Sequence, residues 1–173
     1  QVNQADSGEV IEVDSFFYEI FQRSKTIYEQ TKGAFDPTVM PLVNFWGFGW
    51  EEDREVIDTS QLDSLRQLVQ FDKVMMDMVL IPGEGGVDTF YRVEKQLSGI
   101  QLDFSAIAKG YGADLVGEIL ALNGIDRYFV EIGGEVATKG SYKEGPWKVG
   151  IEKPAADNLE QQELFRIVEL QGH

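Results

Sequence analysis

The sequence predicts an α+β fold in which helices pack on a mainly antiparallel sheet. Helical patterns dominate the first part of the chain, and several strand patterns follow one another near its end, an order that favours α+β over a doubly wound fold. Neither G-x-G-x-x-G after a strand nor G-x-x-x-x-G-K-[ST] occurs. Dinucleotide-binding folds of the doubly wound type and P-loop folds therefore lose their main support.

The first predicted helix covers residues 14–31, where apolar side chains recur at helical spacing. Asp14 or Ser15 can cap its first amides, and Gly33 ends it. A second helix is predicted from Thr59 to Val69. Its expected buried stripe consists of Leu62, Leu65, Leu68 and Val69.

Short strands joined by the sequence IPGEGG are predicted over residues 72–101. A third helix follows LDFSAIAKG and ends at Asn123-Gly124. Further strands are predicted at residues 127–132, 135–141, 147–153 and 164–170. The sequence YKEGP between the second and third of these strands indicates a hairpin turn.

Length and composition predict a single soluble domain. The chain has 173 residues and 43% apolar content, enough to bury a core and too apolar for disorder. No apolar run is long enough for a membrane span, and Gln1-Val2-Asn3-Gln4 is not the charged start of a secretion signal.

Several chemistries are excluded by residue types that the sequence lacks. There are no cysteines, which removes thiol nucleophiles, cysteine-ligated zinc and disulfides. The single histidine, His173, is the last residue, so these residues hold no Ser-His-Asp triad or multi-histidine metal site.

The net charge of −15 argues against nucleic acid as a partner. A phosphorylated ligand would need a local lysine or a divalent cation to offset that charge. The alternative is that the charge only keeps the protein soluble.

Asp103, Ala106 and Lys109 recur at steps of three residues in LDFSAIAKG. If a helix starts here, this spacing places them along one face of its first turns. Free amides at such a start, with Lys109 beside them, form an anion site, and Asp103 can accept from a ligand N–H or hydroxyl. The alternative is a capped, solvated helix start with Asp103 at the end of a strand.

Glycines mark places where the backbone approaches something closely. Gly110 and Gly112 in the opening turns of a helix each cost about 1 kcal/mol relative to alanine, which close packing or ligand approach would explain. The pair Gly133-Gly134 lies between two predicted strands, where a ligand or a bulge would use it.

Asp36 precedes Pro37, which forces it into extended geometry, so it either caps a turn or faces a ligand; capping is the commoner role. An aromatic group follows in the sequence. Its members, Phe45, Trp46, Phe48 and Trp50, alternate with glycines. They can stack on a flat ring or pack as core, and core is the commoner role.

Four segments together resemble the successive blocks of the ApbE family, the flavin transferases that move FMN from FAD onto a threonine of an acceptor protein. They are TKGAFDPTVMPLVNFWGFG, LDFSAIAKGYGAD, YFVEIGGEVATKG and PWKVGIEKP, in that order within residues 31–154. Each block alone would be weak, but four in order are specific. The resemblance implies an ApbE-like α+β fold.

The resemblance also implies contacts with FAD. In that family the stretch matching Ala34, Phe35 and Asp36 contacts FAD, as do the positions matching Asp103 and Lys109. The cationic lysine would hold the ligand, and the aspartate would orient it.

Magnesium is the second ligand that the resemblance implies, bound in that family by the backbone carbonyl at the Ala106 position. Because such a carbonyl cannot serve fully as an intrahelical acceptor, regular helix is expected to begin only after Ala106. Family members are usually near twice this length, and the blocks that complete the Mg²⁺ site and carry a catalytic histidine would lie beyond His173. The chain is expected to be one domain, 1–173, truncated at both ends, with weak Mg²⁺ binding and no activity alone.

The implied reaction is Mg²⁺-assisted phosphoryl transfer, in which the threonine oxygen attacks the FMN-side phosphorus of FAD and AMP leaves. The implied partner is a subunit of a membrane redox complex, and the implied location is periplasmic or otherwise extracytoplasmic, with a lipid anchor. Three alternatives stay open: an FAD pyrophosphatase that uses water as nucleophile, a non-catalytic flavin-binding relative, and a carbohydrate- or peptide-binding domain that uses the aromatics at Phe45 to Trp50.

Overall fold

A computed structural model of the chain describes residues 1–49, 59–83, 85–143, 145–153 and 164–170. Trp50, Pro154 and His173 lie outside these ranges, as does Glu144 of the predicted YKEGP turn. The chain divides into two compact units, residues 1–107 and 108–173. The prediction of one family domain over 1–173 stays a prediction.

Helices and antiparallel strand pairs make up both units. The helices are α1 (Ser15–Gln30), α2 (Met40–Phe45), α3 (Leu62–Arg66) and α4 (Ser105–Leu122), with 3₁₀ turns at Val2–Gln4, Thr59–Gln61 and Phe71–Lys73. The strands are β1 (Val10–Val13), β2 (Val74–Gly83), β3 (Gly86–Lys95), β4 (Tyr128–Ile132), β5 (Glu135–Lys139), β6 (Trp147–Glu152) and β7 (Leu164–Leu170). The pairing is antiparallel in the sheets β1-β3-β2, β4-β5 and β6-β7. The predicted α+β class is confirmed.

Helix α1 confirms the first predicted helix, including both of its ends. The Asp14 carboxylate accepts from the amide of Phe17 at 2.8 Å, which satisfies one free N–H of the first turn. At the other end the Gly33 amide donates to the Tyr28 carbonyl at 2.9 Å, and Gly33 has a φ of 82°. A residue without a Cβ adopts this left-handed conformation at little cost, so the helix ends here.

The helix predicted over residues 59–69 is shorter in the structure. After α3, the amides of Leu68 and Val69 donate to carbonyls three residues back, Leu65 and Arg66, at 3.0 and 3.1 Å. The chain therefore leaves the α-helix through tight 3₁₀-type turns. The predicted apolar stripe is half-buried, not buried.

The strands predicted over residues 72–101 are longer than expected. β2 and β3 have 10 residues each and form one hairpin, in which Gly83 is paired with Gly86. Ile81 and Pro82 of the IPGEGG sequence belong to β2, where they are paired with residues of β3. The sequence did not predict β1, which pairs with the other side of β3.

The hairpin predicted around YKEGP is wrong. Within the described residues β5 pairs with β4, and β6 pairs with β7. Gly133 and Gly134 connect β4 to β5 with φ values of 57° and 95°, and two positive φ angles are what a tight two-residue hairpin turn requires. Near YKEGP, only a local bridge joins Tyr142 and Gly145 in the described chain.

The core of the first unit lies between α1 and the β1-β3-β2 sheet. Its buried members are Phe21, Phe71, Val74, Val93, Ile100 and Leu102. The rings of Phe21 and Phe71 lie 4.9 Å apart, close enough for direct aromatic contact.

No helix in the described ranges has the length and hydropathy needed to cross a membrane.

Lys95, at the end of β3, is a buried cation with an exposed fraction of only 2%. Its ammonium donates to the Ile100 carbonyl at 2.8 Å, and this bond fixes the loop that follows the strand. Burial lowers the pKa of Lys95, while the charges of Asp6 and Glu9 partly oppose that shift. Burial thus opposes the protonated form that makes the hydrogen bond.

This lowered pKa predicts a pH dependence of stability. Because the folded-state pKa lies below the ordinary value of 10.5, the unfolded chain binds more protons between the two values, and the free energy of unfolding should rise as the pH increases towards 10.5. Lys95→Met should remove this rise, while Lys25→Met, at an exposed position of α1, should keep it. Urea unfolding of the three proteins from about pH 7 to pH 10 measures the difference. Parallel curves for wild type and Lys95→Met would contradict the prediction.

Candidate functional site

The Asp36 carboxylate organises the turn in which it lies. One oxygen accepts from the Thr38 amide at 2.8 Å and from the Thr38 hydroxyl at 2.5 Å, and the other accepts from the Phe71 amide at 3.3 Å. This is the capping role that sequence reasoning favoured. Phe35 is half-buried and Ala34 is exposed, so this stretch still reaches the surface.

Asp103 also has a capping role, at the start of α4. Its carboxylate accepts from the amide of Ser105, the first residue of that helix, at 2.8 Å. Because this bond stabilises a helix start at Ser105, the expectation that regular helix begins only after Ala106 is wrong. Asp103 is half-buried, and Ala106 is exposed.

The structure brings the Asp36 and Asp103 segments together, although 66 residues separate them in sequence. The Asp103 amide donates to the Pro37 carbonyl at 2.7 Å. Two residues away, Val39 and Gln101 form a parallel bridge. Two of the predicted motifs are therefore neighbours in the first unit.

Asn3 holds the same region, and sequence reasoning missed it. Its side-chain amide donates to the Leu102 carbonyl at 3.0 Å, and its Oδ1 accepts from the Leu102 amide at 2.8 Å. An asparagine side chain can thus pair with a backbone as another strand would. No periodicity or motif marks Asn3, so a single sequence gives no signal for this role.

Lys109 lies in the second unit and is anchored to the β4-β5 hairpin. Its ammonium donates to Glu135 Oε1 at 2.9 Å and to the Gly133 carbonyl at 3.2 Å. The hydrogen bond from Lys109 lowers the pKa of Glu135, an effect that partial desolvation opposes. The lysine side chain is 47% exposed, so it is accessible as well as paired. In the sequence Glu135 was visible only as the residue after two glycines.

The glycines of α4 have different explanations. A Cβ at Gly112 would lie 3.3 Å from Ile132 Cδ1, and one at Gly117 would lie 2.9 Å from the Tyr128 hydroxyl, so both allow β4 to pack closely on the helix. A Cβ at Gly110 would meet nothing within 4 Å in the described chain. Packing against Ile132 therefore explains Gly112, whereas no contact of the described residues explains Gly110.

The magnesium position predicted at Ala106 involves a backbone carbonyl. The described residues contain no group of three or more His, Cys, Asp and Glu side chains that could hold a metal ion. The Ala106 carbonyl lies in α4, where a helical carbonyl accepts from an amide four residues on and keeps a second lone pair. It would supply one of the about six oxygens that Mg²⁺ needs. The assignment of Ala106 to Mg²⁺ stays a prediction.

The aromatic group after α2 is divided between core and surface. Phe45 is buried, as predicted for core, whereas Trp46 is 45% and Phe48 is 85% exposed. The core interpretation is therefore wrong for Phe48. Trp50 lies outside the described residues.

A second aromatic cluster, in the second unit, was not predicted. The Trp147 ring lies 5.6 Å from the ring of Phe129 and 5.3 Å from that of Tyr142. These rings line an open hollow of about 500 Å³. Phe129 belongs to β4 and Trp147 to β6, two strands of different pairs, and the Trp147 indole N–H donates to the Lys139 carbonyl of β5 at 3.1 Å.

The fold is similar to that of a solved flavin transferase. The structure titled "Flavin Transferase ApbE from Vibrio cholerae" superposes with a TM-score of 0.79 at 34% identity, covering 98% of this chain and 51% of that one. The sequence model of the ApbE family matches residues 1–173. The chain belongs to the ApbE family.

Two curated relatives carry the name FAD:protein FMN transferase. The protein from Vibrio cholerae is 35% identical over 165 residues, which cover 94% of this chain and 46% of that protein. The protein from Haemophilus influenzae is 38% identical over 146 residues, which cover 83% of this chain and 40% of that protein. The chain thus spans less than half the length of these relatives.

Alanine substitutions in α4 test the two explanations for its glycines. Gly110→Ala should raise the free energy of unfolding by about 0.5–1 kcal/mol, because alanine is the better helix former and the space is open. Gly117→Ala should be less stable than Gly110→Ala by about 1–3 kcal/mol, because its Cβ overlaps the Tyr128 ring. Chemical denaturation measures both. Equal stability of the two variants would contradict this packing.

Proposed function

We propose that the chain is part of an FAD:protein FMN transferase of the relatives' length, which moves FMN from FAD to a threonine of an acceptor protein. The observation that carries the proposal is the similarity, over 94% of this chain, to a Vibrio cholerae protein of that name. The half-exposed Lys109 side chain and, among the described residues, the open space at Gly110 support it, because a phosphorylated ligand needs a cation and close access to the backbone.

In the proposed reaction the threonine hydroxyl oxygen attacks the FMN-side phosphorus of FAD. A new P–O bond joins FMN to threonine, the bond to the AMP oxygen breaks, AMP leaves, and the hydroxyl proton passes to solvent or to a base. The demand on the protein is mainly to position the phosphates and to stabilise their charge.

Within this chain, we assign the FAD contacts to Ala34, Phe35, Asp36, Asp103 and Lys109. Lys109 donates to a phosphate oxygen. The capping bond of Asp103 leaves other carboxylate lone pairs available, and these accept from a second donor and orient the ligand. Both oxygens of the Asp36 carboxylate also accept bonds from the chain, so Asp36 in addition shapes the turn that presents Ala34 and Phe35.

Three finer parts of the proposal concern the full-length protein. Its activity depends on Mg²⁺, held by the Ala106 carbonyl and by ligands that the described residues do not supply. Its acceptor is a subunit of a membrane redox complex. It works outside the cytoplasm on a lipid anchor.

A transfer assay tests the function itself. Full-length protein incubated with FAD, Mg²⁺ and a threonine-containing acceptor peptide should yield AMP and a covalently fluorescent peptide, while a peptide with alanine in place of threonine should stay unlabelled. The 173-residue chain alone should label neither, since the proposal assigns a single Mg²⁺ ligand, the Ala106 carbonyl, to its described residues, and phosphoryl transfer then lacks its main charge stabilisation. Release of FMN without peptide labelling would reassign the protein as an FAD hydrolase.

Binding of FAD tests the assigned residues. Asp103→Asn and Lys109→Ala in the full-length protein should each weaken FAD binding about 10- to 100-fold, the loss expected for one charged hydrogen bond. Stability should fall by at most about 1–2 kcal/mol, because one residue caps a helix and the other forms a half-exposed ion pair.

Lys139→Ala is the matched control for these variants, because Lys139 forms a similar surface ion pair with Asp126 at 3.1 Å on the same hairpin. Its FAD affinity should equal that of wild type. Unchanged affinity in both site variants would return Asp103 and Lys109 to purely structural roles.

A further inference from the structure

The Lys109 side chain lies against Gly133, in the turn of the β4-β5 hairpin. A Cβ at Gly133 would lie 2.9 Å from Lys109 Cδ, which is closer than real side chains approach one another. Gly133 also has a φ of 57°, a conformation that residues with a Cβ adopt at a cost. The absence of a side chain at this position therefore lets the lysine stem lie directly over the turn.

Two acceptors from the same hairpin fix the end of that stem. The ammonium donates to the Gly133 carbonyl at 3.2 Å and to Glu135 Oε1 at 2.9 Å. Among the described residues these acceptors use two of the three ammonium protons of Lys109. The third proton remains for an acceptor on a ligand.

The ion pair between Lys109 and Glu135 adds little to the stability of the fold. Half-exposed ion pairs such as this one, with side chains 47% and 41% exposed, contribute little to folding. The other carboxylate oxygen, Oε2, is shielded from water and has no hydrogen-bond partner in the described chain, which is unfavourable. The Lys109 hydrogen bond lowers the pKa of Glu135, an effect that partial desolvation opposes.

We propose that Glu135 is a positioning residue, which with the Gly133 carbonyl holds the Lys109 ammonium where its third proton meets a phosphate oxygen of FAD. This inference rests on the proposed function, because it takes Lys109 as an FAD contact. Glu135 itself does not touch the ligand. Its carboxylate acts only through the place that it gives to Lys109.

Two substitutions of Glu135 distinguish the position that it gives to Lys109 from the charge of its carboxylate. Glu135→Gln keeps a side-chain oxygen that accepts from Lys109, so the lysine stays in place and FAD affinity should equal that of wild type. Glu135→Ala removes the acceptor and should weaken binding roughly tenfold. Adding Glu135→Ala to Lys109→Ala should cause no further loss, since Glu135 acts only through the lysine.

Two glycine variants test the position of Lys109 without changing Glu135. They provide the test if Glu135→Ala does not fold. Gly133→Ala and Gly134→Ala both place a Cβ at positive φ, but a Cβ at Gly134 meets nothing within 4 Å in the described residues. The two share the backbone strain, and only the first displaces Lys109. Gly133→Ala should therefore weaken FAD binding roughly tenfold relative to Gly134→Ala.

The experiment is a flavin-fluorescence titration of the full-length protein and these variants, with NMR order parameters of the Lys109 Cε in the absence of FAD as a second measurement. The lysine should be ordered in wild type and Glu135→Gln and mobile in Glu135→Ala, a change that does not depend on flavin. Equal FAD affinity of wild type and Glu135→Ala, or a mobile Lys109 in wild type, would overturn this inference. Failure of wild type to bind FAD while Lys109 is ordered would overturn the proposed function instead.

Discussion

The segment 100–103, just before α4, is the constraint on which the first unit depends. Hydrogen bonds join it to three other parts of the chain: the Lys95 ammonium donates to the Ile100 carbonyl, the Asn3 side chain pairs with the Leu102 backbone, and the Asp103 amide donates to the Pro37 carbonyl. Ile100 and Leu102 within it also belong to the buried core. The same four residues therefore hold the N-terminal stretch, the end of β3 and the Asp36 turn in register, and they set the point at which α4 begins.

Local signals made much of the fold predictable. Helix α1 follows from its periodicity and caps, and the strand patterns from residue 127 onwards each became a strand. The errors concern pairing and length. A turn sequence indicates that the chain reverses but not which strands then pair. YKEGP predicts a hairpin, but the two positive φ angles that connect paired strands belong to Gly133-Gly134. β1 has only four residues and pairs with distant β3, so nothing near it in sequence reveals it.

The candidate site was predictable as segments but not as contacts. Asp36 and Asp103 were visible because aspartate before proline, or before a helical pattern, has few roles. That each caps a neighbouring amide follows only from the coordinates. Asn3 and Glu135 carry no local signal, because their roles arise from pairing with residues far away in the chain. In the aromatic group that begins at Phe45, the pattern is visible in the sequence but its meaning is not. Core is the commoner role for such residues, yet Phe48 is 85% exposed.

Charge explains why the position of one ammonium matters in this chain. A protein with a net charge of −15 offers a phosphorylated ligand no long-range attraction, and physiological salt screens exposed charges beyond about 8 Å. Lys109 adds no long-range attraction, because the Glu135 carboxylate lies 2.9 Å from its ammonium and cancels its charge at distances much greater than the separation of the two groups. What the pair offers an anion is short-range and directional: an N–H donor held in place by two acceptors. Affinity for a phosphate at this point therefore depends on where the donor lies, and the structure fixes that place with a glycine under the lysine stem and a carboxylate at its end.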